Sequence, residues 1–163
     1  MRVWLWGLWL IFAASTAVGC GGKKGRLDHF REQVESYNEG IRWRAPERSA
    51  KHLPAEQREL FLEERYELDE DLRIGDYEII RVKWAKDREK ARVRIRYAWH
   101  LDSQAVVHKT TTEQFWHREG RGWLMVDEVR IRGAEMPGVA EKGDYDEAKA
   151  EEGKPFDSDI KPN

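Results

Sequence analysis

Apolar and polar residues alternate along this chain with two different periods, and the change of period separates predicted helices from predicted strands. From Leu27 the apolar residues recur every three or four positions, which predicts one helix that ends between Gly40 and Trp43. Pro54 predicts the start of a second helix over AEQRELFLEERYELDEDL, since proline is favoured in the first helical turn. After Gly75 the period falls to two, which is the spacing of a strand with one buried face.

Four strands are predicted in the second half of the chain, separated by the turn sequences KDREK, DSQ and EGRG. They are expected at about 80–84, 91–101, 106–117 and 123–132. In the first strand Ile80, Val82 and Trp84 alternate with charged residues and are expected to face the core. Helices followed by antiparallel strands predict an α+β domain over residues 27–132, with the helices packed on a curved, four-stranded sheet.

Turn positions and charge predict the strand register. Pairing Glu119 with Gly122 across a two-residue turn predicts three opposite pairs in the last hairpin, Gln114 with Asp127, Glu113 with Glu128, and Trp116 with Met125. The preceding hairpin, with DSQ in its turn, then places Arg94 opposite Glu113. This register keeps Glu113 out of the core, where an unpaired carboxylate would be costly.

The predicted register leaves several polar residues on the core-facing side of the sheet. Asp127 and His108 are candidate general acids or bases, because both residue types can titrate near neutral pH when they are partly buried. Tyr97, Thr112 and Gln114 are candidate ligand-binding residues beside them. The alternative is structural: these groups bond one another or the backbone at a sheet end.

Metal and cofactor sites are not expected. The sequence has no HExxH, paired CxxC or acidic calcium loop, and four of its histidines are widely separated: His29, His52, His100 and His117. It also lacks a glycine-rich phosphate loop and a G-x-S-x-G nucleophile motif. No cofactor is therefore predicted.

The charged residues limit the classes of partner that we expect this protein to bind. Residues 20–132 carry 24 basic and 22 acidic residues, so a nucleic-acid partner is not expected. The outer face of the sheet is nevertheless rich in basic residues, namely Arg81, Lys83, Arg92, Arg94, Arg96, Arg130 and Arg132. This face could meet anionic lipid, a cell-wall polymer, an acidic envelope protein or a second copy of the chain, or it could simply be solvated.

The N-terminal residues predict where the protein is located in the cell. A basic residue, a long apolar run and small residues lead to Ala17-Val18-Gly19-Cys20, which resembles the lipobox of bacterial lipoproteins. The resemblance implies that residues 1–19 are a signal peptide, that Cys20 is lipidated, and that residues 20–26 tether the domain to a membrane. With Gly21 after it, this arrangement resembles lipoproteins of the outer membrane that face the periplasm. The alternative is an uncleaved membrane helix over residues 3–19.

The order of elements also resembles a known superfamily. Two helices with the end SYNEGIRW, followed by strands that include TTTEQFWHREGRGWLMV, resemble the cone-shaped nuclear transport factor 2-like and cystatin-like domains. That superfamily holds both enzymes and binding modules, so the resemblance implies an architecture and not an activity. The expected function is a non-catalytic binding or assembly module, with an isomerase or dehydratase as the alternative. Residues 133–163, acidic and without periodicity, are expected to form a disordered tail.

Overall fold

The structure, a computed structural model, describes residues 24–141, with side chains from residue 27 onward. Its elements in chain order are α1 Lys24–Arg42, α2 Pro46–Ala50, a 3₁₀ turn Ala55–Gln57, α3 Arg58–Leu68, β1 Leu72–Trp84, β2 Lys90–Leu101, β3 His108–Glu119, β4 Gly122–Gly133 and β5 Ala140–Glu141. The predicted signal peptide, lipobox and most of the predicted tail lie outside the described residues. Within 24–141, no helix combines the length and the apolar character that crossing a bilayer requires.

The strands form one sheet in the order β1-β2-β3-β4-β5. The first four strands are antiparallel and follow one another in sequence, while β5 runs parallel to β4. The prediction of an α+β domain with helices preceding a curved, mostly antiparallel sheet is confirmed. The predicted number of strands is wrong, because the chain after Gly133 returns to the domain. Met136, which was assigned to the tail, is only 5% exposed and joins the core.

The first predicted helix is α1, and it buries one face as its spacing indicates. Phe30, Val34, Tyr37 and Ile41 are all buried against the sheet. The rest of the helical region consists of more separate helices than predicted. A short helix, α2, starts at Pro46, and the second predicted helix begins as the 3₁₀ turn before α3.

Aromatic side chains fill the core between α1 and one face of the sheet, called here the core face. The Phe30 ring lies 4.6 Å from Trp84, 5.8 Å from Trp116 and 4.7 Å from Trp123, with edge-to-face geometry in each pair. Trp116 is fully buried. The helices therefore cover the core face, and the opposite or outer face carries the alternate residues of each strand.

Register is confirmed in one hairpin and only partly in the next. Arg94 pairs with Glu113 as predicted, and Glu119 with Gly122 and Trp116 with Met125 also pair as predicted. Beyond Trp116, however, β4 contains an extra residue, so the register moves by one position.

The extra residue is Val126, and it forms a β-bulge. Gln114 now pairs with Glu128, and Asp127 pairs with Phe115. The predicted pairs Gln114 with Asp127 and Glu113 with Glu128 are wrong. The physical reason is that one inserted residue reverses the faces of the side chains that follow it, here until Ile131, a second extra residue of β4, reverses them again.

The edge strand β1 also contains bulges, one between Ile74 and Asp76 and another between Ile79 and Arg81. Ile79, rather than Ile80, packs against the core together with Val82 and Trp84. The prediction that Ile80 faces the core is therefore wrong. Bulges are common on edge strands, where they discourage pairing with other chains.

Candidate functional site

Five polar residues meet inside the domain, and we call them the interior polar cluster: Asn38, Tyr97, Thr112, Gln114 and Glu128. They come from α1, β2, β3 and β4. The first four are at most 1% exposed. Buried polar groups are costly unless they are hydrogen-bonded, so the bonds of this cluster decide what it can do.

Each member bonds to other members. Tyr97 Oη lies 2.5 Å from Asn38 Oδ1 and 3.1 Å from Glu128 Oε1, and its single proton can serve one of them at a time. Thr112 Oγ1 donates to Glu128 Oε1 at 2.6 Å. Gln114 Nε2 lies 3.0 Å from Asn38 Oδ1, 3.0 Å from Tyr97 Oη and 3.2 Å from Glu128 Oε1.

The polar groups at the edge of the cluster also have hydrogen-bond partners. Asn38 Nδ2 donates to the carbonyl of Val34 at 2.8 Å, which ties the cluster to the backbone of α1. Trp116 Nε1 donates to Gln114 Oε1 at 3.2 Å. The amide and hydroxyl groups of the cluster thus find their partners within the protein.

Glu128 is the one ionisable carboxyl in this cluster. Burial raises the pKa of Glu128 above its ordinary value, and hydrogen bonds from Thr112, Gln114 and Tyr97 offset part of that effect. Burial, followed by the charge of Glu128, raises the pKa of Tyr97 well above its ordinary value. The nearby guanidinium of Arg65 acts in the opposite direction on both groups.

Arg65 is an unexpected charge in the interior. It lies on α3, is only 6% exposed, and donates from Nη2 to Asp69 Oδ1 at 2.8 Å. Its Nε is buried without a partner among the described residues. The Arg65–Asp69 pair therefore brings a neutralised ion pair, rather than a free cation, near Glu128.

The structure brings some of the predicted site residues together and separates others. Tyr97, Thr112 and Gln114 all belong to the cluster. Asp127 does not, because the bulge turns it to the outer face beside Phe115, where it accepts a hydrogen bond from the Glu128 backbone N at 2.8 Å. Burial raises the pKa of Asp127, and that backbone hydrogen bond opposes the shift.

His108 lies apart from Asp127. It begins β3, and its ring stacks at 4.7 Å from Trp99 beside an open depression that also involves Arg130 and Glu135. Asp127 and His108 therefore lie on opposite faces of the sheet. They do not form the acid and base pair that the sequence suggested.

Sequence reasoning missed Asn38, Arg65 and Glu128. Asn38 follows Val34 by four residues and so shares the buried stripe of α1, which was a usable signal for a buried amide. Glu128 had no such signal, because its place depends on the bulge. Arg65 had no such signal either, because it lies among the acidic residues of the predicted second helix, a pattern typical of a solvated helix face.

The cavities of the domain lie away from the cluster. A groove of about 220 Å³ runs between α1 and β1, and another depression of about 220 Å³ lies beside Trp84, Arg88 and Arg121. No member of the cluster lines either of these, or the depression at His108. Across residues 24–141, no three His, Cys, Asp or Glu side chains are grouped so that they could hold a metal ion.

Comparison with known proteins supports the fold. Neither a family model nor a curated protein sequence matches this chain. A ketosteroid isomerase-like protein from Erwinia carotovora atroseptica SCRI1043 superimposes with a TM-score of 0.52 at 12% identity, covering 66% of this chain and 97% of that one. The domain has a ketosteroid isomerase-like, nuclear transport factor 2-like fold.

A second solved structure is more distant. The intermembrane space region of the chloroplast protein ARC6 matches with a TM-score of 0.40 and 11% identity, over 66% of this chain and 92% of that chain. At such identities the likeness concerns architecture alone. Function has to be argued from the residues of this chain.

Proposed function

We propose that this protein is a lipid-anchored protein of the bacterial cell envelope, and that its domain is a non-catalytic module which binds an anionic partner on the outer face of the sheet. The observation that carries the proposal is the closed interior. The polar residues that would line a pocket in an enzyme of this fold bond to one another, and all of them except the partly exposed Glu128 are buried. A substrate would have to break several of these bonds in order to enter.

The outer face offers the surface that the interior lacks. Three rows of residues cross it from β1 to β4, and we call them the outer rows: Glu78, Arg96, Thr111 and Arg132; Arg81, Arg94, Glu113 and Val129; and Lys83, Arg92, Phe115 and Asp127. They contain six basic and three acidic residues. Such a surface attracts anionic groups through its net positive charge.

The acidic residues of the outer rows organise the arginines rather than neutralise the surface. Arg96 Nη1 contacts Glu78 at 2.9 Å, and Arg94 Nη2 contacts Glu113 at 3.1 Å. Arginine bound to a carboxylate is held in one orientation and still presents further N–H donors. An acidic envelope protein, an anionic cell-wall polymer and an anionic lipid surface all have groups that these donors would recognise.

A reversal of charge tests this binding role. We expect Arg81→Glu with Arg96→Glu to release whatever partner cross-links to the full-length protein in intact cells, since both side chains are exposed. The matched control is Arg48→Glu with Arg121→Glu, which makes the same charge change away from the outer rows. Equal recovery of the partner from both double variants would overturn the proposed surface.

The anchor is proposed from Cys20. Helix α1 begins at Lys24, so a lipidated Cys20 would hold the domain close to the membrane, within a few residues of extended chain at about 3.5 Å each. Two or more acyl chains make such an anchor effectively permanent. Outer-membrane attachment facing the periplasm is part of the same proposal.

Intact-mass measurement of the membrane-extracted protein tests the anchor. We expect a chain that begins at Cys20 and carries a diacylglyceryl thioether and an acylated amino group. A mass that begins at Met1 without acyl chains would instead indicate a retained N-terminal segment.

A second candidate function is a small-molecule isomerase or dehydratase, and one observation favours it. Glu128 is a carboxyl with a raised pKa and hydroxyl neighbours, which is a setting suited to a general base or acid. In that case Glu128, and not Asp127 or His108, would transfer the proton. Glu128→Gln would then abolish turnover, whereas the binding module would keep its partner in the same variant.

A further inference from the structure

Three of the basic residues in the outer rows have no acidic partner in the described chain. Within residues 27–141, no carboxylate pairs with Arg81, Lys83 or Arg132. Arg94 also keeps Nε, a buried donor without a described acceptor, although its Nη2 contacts Glu113. The outer rows therefore present more positive charge and more donors than the described residues satisfy.

The outer rows also contain two buried apolar side chains. Phe115 is 7% exposed and Val129 is 2% exposed, although the helices pack on the opposite face of the sheet. They lie next to each other across β3 and β4, in the two rows that also hold Arg94 and Arg92. Both are already covered, Phe115 in part by Arg92, whose guanidinium lies 5.3 Å from the ring centroid, so this face suits a segment that is recognised by its acidic groups.

This chain has such a segment. Residues 142–163, called here the acidic segment, contain seven acidic residues and four lysines. The acids are interspersed with apolar side chains, namely Tyr145, Phe156 and Ile160. Its composition therefore complements the outer rows in charge.

The path of the chain places the acidic segment beside these rows. Val129, at the end of the middle row, pairs with Ala140 of β5, and the next residue is the last one described. Glu141 is held by Arg130, whose Nε donates to Glu141 Oε1 at 2.6 Å. The segment thus begins at the edge of the sheet, level with the row that contains Arg81 and Arg94.

Length does not limit the reach of the acidic segment. Crossing four inter-strand spacings of about 4.8 Å needs roughly 19 Å. An extended chain covers about 3.3 Å per residue, so six or so of the residues after Glu141 would suffice. The remaining residues could cross the face a second time or leave it.

We propose that the acidic segment docks on the outer rows of its own domain, with its carboxylates on Arg81, Lys83 and Arg132. This contact is within one chain and does not depend on whether an external partner exists. If the proposed function is also correct, an anionic partner must displace the segment, which then acts as a built-in competitor.

Zero-length cross-linking of the full-length protein with a carbodiimide tests the docking directly, because it joins only carboxylates and amines in contact. We expect cross-links from the acidic segment to Lys83 and to Lys109, an exposed lysine adjoining the rows on β3. Raising NaCl to about 0.5 M should reduce their yield about tenfold, because salt screens exposed charge pairs. Mixing isotope-labelled and unlabelled chains distinguishes contacts within one chain from contacts between copies.

Matched variants make each result decisive. Arg81→Glu with Arg96→Glu should lower the cross-links to Lys83 and Lys109 at least to the high-salt level, while Arg48→Glu with Arg121→Glu should leave them unchanged. Thermal unfolding of each variant confirms that it is folded. Cross-links that join labelled to unlabelled chains in the proportion expected for random pairing of copies, that survive the outer-face reversal, or that never reach Lys83 and Lys109 would overturn the inference. Loss of an external partner would not affect this readout, so the two proposals fail separately.

Discussion

Glu128 shows at the level of one residue how hydrogen bonds hold a carboxyl group in the interior polar cluster. Its Oε1 has donors at 2.6, 3.1 and 3.2 Å, and these donors are themselves buried. Hydrogen bonds of this kind permit a carboxyl group inside a protein, but burial still raises its pKa. Burial therefore costs the charged form of Glu128 free energy, and the protonated form does not carry this cost.

This cost predicts a specific pH dependence. Because the folded-state pKa of Glu128 is raised, its stabilising contribution is complete below the unfolded pKa and is lost as pH rises through the folded pKa. Glu128→Gln mimics the neutral form, so the variant should gain stability relative to the wild type as pH rises from 4 to 8. Denaturant unfolding across that range measures the difference.

The control for this prediction is Glu63→Gln, which removes an exposed carboxyl from α3. Its stability difference from the wild type should change little with pH. A Glu128→Gln variant that loses stability relative to the wild type as pH rises would contradict the direction of the pKa shift.

At the level of secondary-structure elements, the bulge at Val126 marks the limit of what the sequence could predict. Alternation along β2 and β3 correctly placed Tyr97, Thr112 and Gln114 on one face. The same rule applied to β4 chose Asp127, because alternation and charge pairing carry no sign of an inserted residue. A bulge is a compromise between twist and side-chain packing across the whole sheet, so local pattern cannot reveal it.

Inserting one alanine between Asp127 and Glu128 tests the register that the bulge sets. The lengthened strand would place the alanine opposite Gln114 and would put Glu128 on the outer face opposite Glu113. We expect a loss of about 3 kcal/mol or more in the free energy of unfolding, since a buried network is broken and two carboxylates are juxtaposed. Insertion of one alanine after Val107, an exposed loop valine, should cost much less. Equal costs for the two insertions would show that the register after the bulge does not position Glu128.

The contact between α1 and α2 depends on a glycine for its close approach. A Cβ added at Gly40 would lie 2.2 Å from Ser49 Oγ and 2.9 Å from Ser49 N. Gly40→Ala should therefore destabilise the domain by roughly 1 to 3 kcal/mol through overpacking, as measured by thermal or denaturant unfolding. Gly122→Ala, whose nearest neighbour would be at 3.7 Å, is the matched control and should cost less. Similar stabilities for the two variants would contradict this account.

At the level of the whole molecule, the sequence predicted the main helix and the long strands, but it did not predict that residues 134–141 join the domain. Periods of 3.6 and 2 correctly assigned α1 and the four long strands, because each element has one buried face. Residues 134–141 were missed because their glycines, proline and acids resemble those of a tail. Met136 and the short β5 are held by contacts made only after the sheet has formed.

The two faces of the sheet account for the proposed division of roles. The core face is closed by aromatic packing and by the interior polar cluster, and the outer face carries ordered arginines. The central claim is that the cluster stabilises this chain rather than holding a pocket ready for substrate.

The free energy of unfolding of Gln114→Leu tests that claim most directly. Gln114 is fully buried and bonds to Asn38, Glu128 and Trp116, so an apolar side chain of similar size would remove one bond each from Asn38 and Glu128 and the acceptor of Trp116 Nε1. The account predicts a loss of roughly 2 to 4 kcal/mol, whereas the exposed control Gln104→Leu should change stability by about 0.5 kcal/mol or less. A Gln114→Leu variant as stable as the wild type, or more stable, would contradict it and would favour a polar site maintained for chemistry.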